Sequence, residues 1–352
     1  MAGIVGEQIV SVRTIHGVQL YQFLADGYTN LKWTRLLREV STCEIQVPPQ
    51  AGYVRIPDLT PWLHWVDVWD GNQRDLLWSG PIQRVEQGRN WLSLSARDAA
   101  SLGARTRCPL TKRWDSADPA EVAAELWASM IEHHGLNLGP ITRNDPLGDR
   151  FEFQCQADTK MVEEVVQELT DLGLYWSVVA GIPLLGPVKP DPVAALGEQH
   201  FLSDLSVIRD GAATYNDVLL LAGNSRSRAR VPMGGLNLQT IVRRDSMFGV
   251  SNADRAAVQA VRYSGAIRDA ISVPRGAVLH PDAPLSMGQL VPSARVNVEA
   301  FGLLSTMELD GVTVTCTQGQ STVGVDLESV PPDDLPELLE DVKPGFSGGR
   351  GD

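Results

Sequence analysis

Long apolar runs, cysteine, lysine and histidine are what this 352-residue chain has least of. No stretch approaches the roughly 20 apolar residues that span a bilayer, so a helical membrane anchor is excluded and no membrane partner is expected. The N-terminal MAGIVGEQIVSV has no basic segment followed by a long apolar one, which predicts no secretory signal and assembly in a cytoplasm. The 4 cysteines, Cys43, Cys108, Cys155 and Cys316, are too widely spaced for a zinc motif or a small disulfide framework. They read as buried free thiols. Lysine is outnumbered by arginine 5 to 25, the imbalance that GC-rich codons produce, which bears on source and not on chemistry. With only 6 histidines, the adjacent Glu132-His133-His134 is the one cluster resembling a ligand set, but neighbouring residues point to different faces of a helix. It reads as the C-terminal end of a helix. No phosphate loop, dinucleotide glycine motif, nucleophile elbow or H-E-x-x-H is present, so no enzyme activity, cofactor or metal is expected. A net charge of -13 argues against holding nucleic acid through its phosphates.

What is present is mostly β. Ile9 to Ile15, Val18 to Leu24, Leu31 to Leu37, Cys43 to Val47, Leu63 to Trp69, Asp75 to Val85 and Trp91 to Leu94 are short runs rich in Val, Ile, Leu and Trp. Turn signals at Asp26-Gly27, Pro48-Pro49, Asp70-Gly71-Asn72 and Gln87-Gly88 separate them. So many strands in residues 1–107 predict a barrel or sandwich. Six of the 9 tryptophans lie here, and Trp65 and Trp69 are spaced evenly along one strand, as core side chains would be. A platform for sugar rings is the alternative reading of the same indoles.

Residues 108–201 read as an α+β unit inserted between β regions. Asp118-Pro119-Ala120-Glu121 opens a helix to about His134, which Gly135 ends. A second helix is expected to be capped by Asp158 and to stop at Gly173, before a hairpin about Gly181. Residues 202–329 read as a second β domain with a helical insert near 251–264 and a hairpin turn at Asp310-Gly311. Residues 330–352 are rich in Pro, Gly and acids, with too little apolar area to order themselves, and read as a flexible acidic tail.

The clearest stretch is Leu202 to Asn224, where a polar turn joins two apolar strands. It carries Arg209, Asp210, Asn216 and Asp217, which either make contacts between neighbouring subunits or hold the turn. Just beyond it, Arg226, Arg228 and Arg230 alternate, which predicts one basic face of an exposed strand.

Trp33-Thr34-Arg35, Ser95-Ala96-Arg97-Asp98, the run KMVEEVVQELTDLGLYWSVVAGIPLL and the pair Arg209-Asp210-Gly211 with Tyr215-Asn216-Asp217-Val218 occur in an order that resembles siphophage minor tail proteins of the tail-hub (baseplate hub) family. The resemblance spans most of residues 15–328. It implies an α+β, mostly β fold with two tube-like β-barrel domains, the inserted α+β unit and the short helical insert. It further implies a homotrimer at the virion tail tip, assembled in the host cytoplasm, that adapts a sixfold tail tube to a threefold tip. The partners it implies are the distal tail protein, other tail-tip proteins, the tape measure protein, and viral DNA passing through the lumen without tight binding. The alternative within the same family is a carbohydrate-binding minor tail protein recognising host cell-wall glycan.

Overall fold

The computed structural model describes residues 4–26, 28–48, 59–71, 74–145, 150–222, 225–243, 250–265, 267 and 269–330. Two compact units emerge, one from Met1–Leu205 with Val273–Ser329 and the other from Ser206–Ser272. The expected acidic tail lies outside the described residues, apart from Val330.

The first unit opens with β1 (Gln8–Thr14), β2 (Gln19–Leu24), β3 (Asn30–Leu36), β4 (Thr42–Val47), β5 (His64–Asp70), β6 (Leu76–Gln87) and β7 (Leu92–Arg97). These are the seven runs anticipated from the sequence. In β4, Cys43, Ile45 and Val47 are buried while Glu44 and Gln46 are exposed, the period-two pattern of a strand with one face on a core. In β5 both faces are covered, and Trp65, Val66, Asp67 and Val68 are all buried.

Then come β8 (Lys112–Ala117), α1 (Pro119–His133), β9 (Ile141–Thr142), β10 (Phe151–Cys155), α2 (Val162–Asp171), β11 (Trp176–Val179), β12 (Ile182–Leu185) and β13 (Ala195–Gly197). Val122, Leu126, Trp127 and Met130 of α1 pack on Val162, Val165, Val166 and Leu169 of α2, with Trp65, Ala99 and Leu102 in the same core. The α+β segment therefore shares its interior with the strands before it. As expected, Asp118 caps α1 by accepting from the Ala120 amide, and Pro119 takes the first turn. The cap expected at Asp158 is not made. Asp158 stands at φ 61 and faces Arg107, four residues before α2 begins, and the Glu164 carboxylate caps instead by accepting from the Met161 amide.

The second unit holds β14 (Ser206–Arg209), β15 (Asp217–Ala222), β16 (Ser225–Arg230), β17 (Gln239–Arg243), α3 (Val250–Ser264) and β18 (Asp269–Ser272). The chain then returns to the first unit with β19 (Ala277–Val278), β20 (Arg295–Ala300), β21 (Leu303–Thr317) and β22 (Gln320–Ser329).

One sheet runs through the first unit in the order β13-β20-β21-β3-β4-β7-β6-β5-β1-β2, with β22 on β21 and β19 on β22. Late strands thus join early ones, because Gly311–Cys316 of β21 pair with β3. Two long strands bend to make this continuous. The first half of β6 pairs with β5 and the second half with β7. At the bend Gly80 is required, since a Cβ there would lie 2.0 Å from the Arg97 carbonyl oxygen. In β21 the bend falls at Asp310-Gly311, which the sequence reading takes as a hairpin turn. Both residues remain inside the strand, where the register against β22 shifts as in a β-bulge. The hairpin turns lie on either side, at Phe301-Gly302 and Gln318-Gly319, with positive φ at both positions of each. Strand outweighs helix among the described residues, so the mostly β, α+β class holds, but no closed barrel is formed among them.

Candidate assembly surfaces

The stretch from Leu202 to Asn224 does not fold back on itself. β14 pairs with β18, whereas β15 is the central strand of a separate sheet ordered β16-β15-β17. The reason is visible in burial: all four residues of β14 are exposed, while Val218, Leu220 and Ala222 of β15 are buried against Ala253, Ala257 and Val261 of α3. A polar segment joins two strands that belong to different partners.

The four residues singled out in that segment divide into two pairs. Arg209 makes a two-pronged ion pair with Asp269 across the β14–β18 ribbon, at 2.7 and 2.6 Å. Asp210 accepts from the Ala212 amide at 2.7 Å, closing a turn. Both are exposed. Asn216 is fully buried, and its side chain donates to the Val231 and Leu236 carbonyls at 2.9 and 3.0 Å and accepts from the Leu238 amide at 2.7 Å. That ties the β16–β17 connection to the start of β15. Asp217 accepts from both Nε and Nη2 of Arg228 and from Gln239 at 3.3 Å, and the guanidinium holds its carboxyl below the usual carboxylate range. Asn216 and Asp217 are thus committed within their own unit.

Opposite α3, the three-stranded sheet presents a grid fixed by its register. Arg230, Asp217 and Gln239 form one row, Arg228, Leu219 and Ile241 the next, and Arg226, Leu221 and Arg243 the last. The alternation of arginines in β16 therefore yields a basic face, which Arg243 of β17 joins through the parallel pairing of β17 with β15. Arg226, Arg230 and Arg243 have no ion-pair partner among the described residues, and the Nε of Arg230 is buried with no acceptor.

A second surface lies in the first unit. The long sheet ends at β2, whose outer edge pairs with no other described strand. On β2 itself Leu20 and Leu24 are exposed, and Val18 and Tyr28 flank the strand.

Thr106 Oγ1 donates to the Leu102 carbonyl, so at 2.7 Å from His134 Nε2 it accepts the imidazole proton, while burial and His133 push the His134 pKa down. No group of three or more His, Cys, Asp or Glu able to hold a metal occurs among the described residues. Cys43, Cys108 and Cys316 are buried free thiols, and Cys155 is half-buried. Trp33, Trp65 and Trp78 are no more than 2% exposed, out of reach of a sugar ring. A cleft of about 320 Å³ between α1, α2 and β11 is walled by Trp127, Met130, Val162, Val166 and Trp176, with Arg38, Glu39 and Glu163 also on its lining.

No protein-family model matches the chain, and no curated protein matches it by sequence. Solved structures do match. The tail protein from Neisseria meningitidis MC58 superposes with a TM-score of 0.63 at 16% identity, over 92% of this chain and 96% of that one. The 43 kDa tail protein of prophage MuSo2 from Shewanella oneidensis gives 0.62 at 12% identity, over 93% and 100%. Prophage tail protein gp18 from Listeria monocytogenes EGD-e gives 0.56 at 9% identity, over 90% and 94%. At such identities the likeness is one of fold, and it extends over nearly the whole of each chain: the protein has the fold of these tail proteins.

Proposed function

We propose that the chain is a structural tail protein that assembles as a homotrimeric hub ring at the tail tip of a siphophage. The observation that carries this is a fold shared with tail proteins over nine-tenths or more of each chain, with the apolar side chains of Leu20 and Leu24 exposed on β2. Apolar side chains that a lone subunit leaves to water are covered when subunits join. In this reading the ring seats on the tail tube beside the distal tail protein and the tape measure protein, and viral DNA passes through its lumen. A chain of net charge -13 lets DNA slide, since like charges repel and few counterions are released. The buried state of Trp33, Trp65 and Trp78 favours this role over recognition of a cell-wall glycan.

The test is mass in solution. The purified chain should run at three times 38.3 kDa and show a central hole in electron micrographs. Leu20→Lys with Leu24→Lys should convert it to a monomer with an unchanged circular dichroism melt. A wild-type monomer at tens of micromolar, or a double variant that stays trimeric, overturns the proposal that the apolar side chains of β2 close a ring.

A further inference from the structure

We infer that the arginine face of the β16-β15-β17 sheet is the docking surface for the chain's own acidic C-terminal segment, residues 333–342. The face is built for a partner that is acidic and apolar at once. Its corners are Arg230, Arg226 and Arg243, none with an ion-pair partner among the described residues, and its centre is Leu219 and Leu221 with Ile241, which is 59% exposed. Asp217 is the one acid on the grid, and Arg228 already satisfies it.

The segment supplies the complement. Asp333, Asp334, Glu337, Glu340 and Asp341 alternate with Leu335, Leu338, Leu339 and Val342, and the apolar residues fall at steps of three and four. No other stretch of the chain combines that density of acids with leucine. Asp333 follows Val330 by three residues and Val342 by twelve, which when extended reach about 10 and about 40 Å from it. Nucleic acid would meet the arginines but has no use for Leu219, Leu221 and Ile241. The occupant favoured by the face as a whole is therefore polypeptide.

The test uses the full chain and a fluorescent synthetic peptide of residues 331–343. In one variant the five acids of the segment are changed to Asn or Gln, which frees the face. That variant should bind the peptide at least tenfold more tightly than the wild type, whose own segment competes. Adding Arg226→Ser and Arg243→Ser, two exposed side chains on which no described contact depends, should weaken binding at least tenfold while the thermal melt stays unchanged. Equal binding by wild type and neutralised chain, or no binding to either, overturns the proposal. So does a 20-base-pair DNA duplex that binds the neutralised chain more tightly than the peptide does and loses that binding with the two arginines.

Discussion

Arg35 carries its guanidinium into the interior of the first unit, where it donates to the Met287 and Leu290 carbonyls at 2.9 and 3.0 Å and to the Leu77 carbonyl at 2.9 Å. It also stacks over Trp33, 5.2 Å from the ring centre, and burial lowers its pKa to about 10, so it stays charged at neutral pH. Its neighbours are bound in the same way. The Trp33 indole donates to Gln8 at 2.7 Å, and the Thr34 hydroxyl accepts from the Thr42 amide at 2.9 Å. The Ser-Ala-Arg-Asp motif ends on Asp98, which accepts from the Ser41 and Ala100 amides while burial pushes its carboxyl up to about 7. Two of the motifs by which the chain resembles tail-hub proteins, Trp33-Thr34-Arg35 and Ser95-Ala96-Arg97-Asp98, are thus places where buried polar groups tie distant segments together. Arg35→Ala leaves three carbonyls without their donor, at about 1–3 kcal/mol each before relaxation. The variant should lose roughly 4 kcal/mol in urea unfolding followed by tryptophan fluorescence, and a loss below about 1 kcal/mol would show that the guanidinium is not what ties Met287 and Leu290 to β3.

At the level of elements, helix starts are decided by which polar group reaches the free amides and not by which stands first in sequence. Asp158 precedes α2 by enough residues that its carboxylate is turned to solvent with Arg107, whereas Glu164 reaches back to the Met161 amide at 2.7 Å. Glu164→Ala should therefore destabilise by about 1 kcal/mol, the size of a lost cap, and Asp158→Asn by less than about 0.5 kcal/mol. The reverse order in chemical denaturation would restore Asp158 as the cap. The same contrast explains what could be read from sequence. The strands of residues 1–107 were legible because each alternates or saturates in apolar residues, and α1 because Asp118 and Pro119 sit at its first turn. Asp310-Gly311 misled because the dipeptide that suits a two-residue turn also suits a bulge, and only the pairing of β21 with β3 decides between them. The basic face was half legible: the alternation in β16 is local, but Arg243 joins it through a parallel pairing that no local pattern encodes. Asn216 gave no sign of its burial, since an Asn after a Tyr in a polar stretch reads as a turn residue until Leu238 and Val231 are seen to close on it.

On the scale of the whole molecule, the ends of the second unit lie side by side. Ser206 pairs with Ser272 at one end of the β14–β18 ribbon, which brings their Cα atoms within about 5 Å. The segment is an excursion that leaves the first unit at Leu205 and returns at Val273. Its core, formed by β15, β16 and α3, is its own, with no residue of the first unit in the cluster. Replacing 206–272 by a short Gly-Ser linker should therefore leave the first unit folded. All 9 tryptophans belong to that unit, so their emission and near-ultraviolet circular dichroism report on it alone and should match those of the parent. A broadened, non-cooperative melt or a red-shifted emission would show that the units are not separable. The same variant divides the two assembly surfaces. The β2 edge remains in the excised chain and the arginine face does not, so a ring closed through β2 keeps its threefold mass while binding of the acidic peptide is lost. If excision also yields monomers, ring closure depends on the second unit and the β2 edge is not sufficient for it.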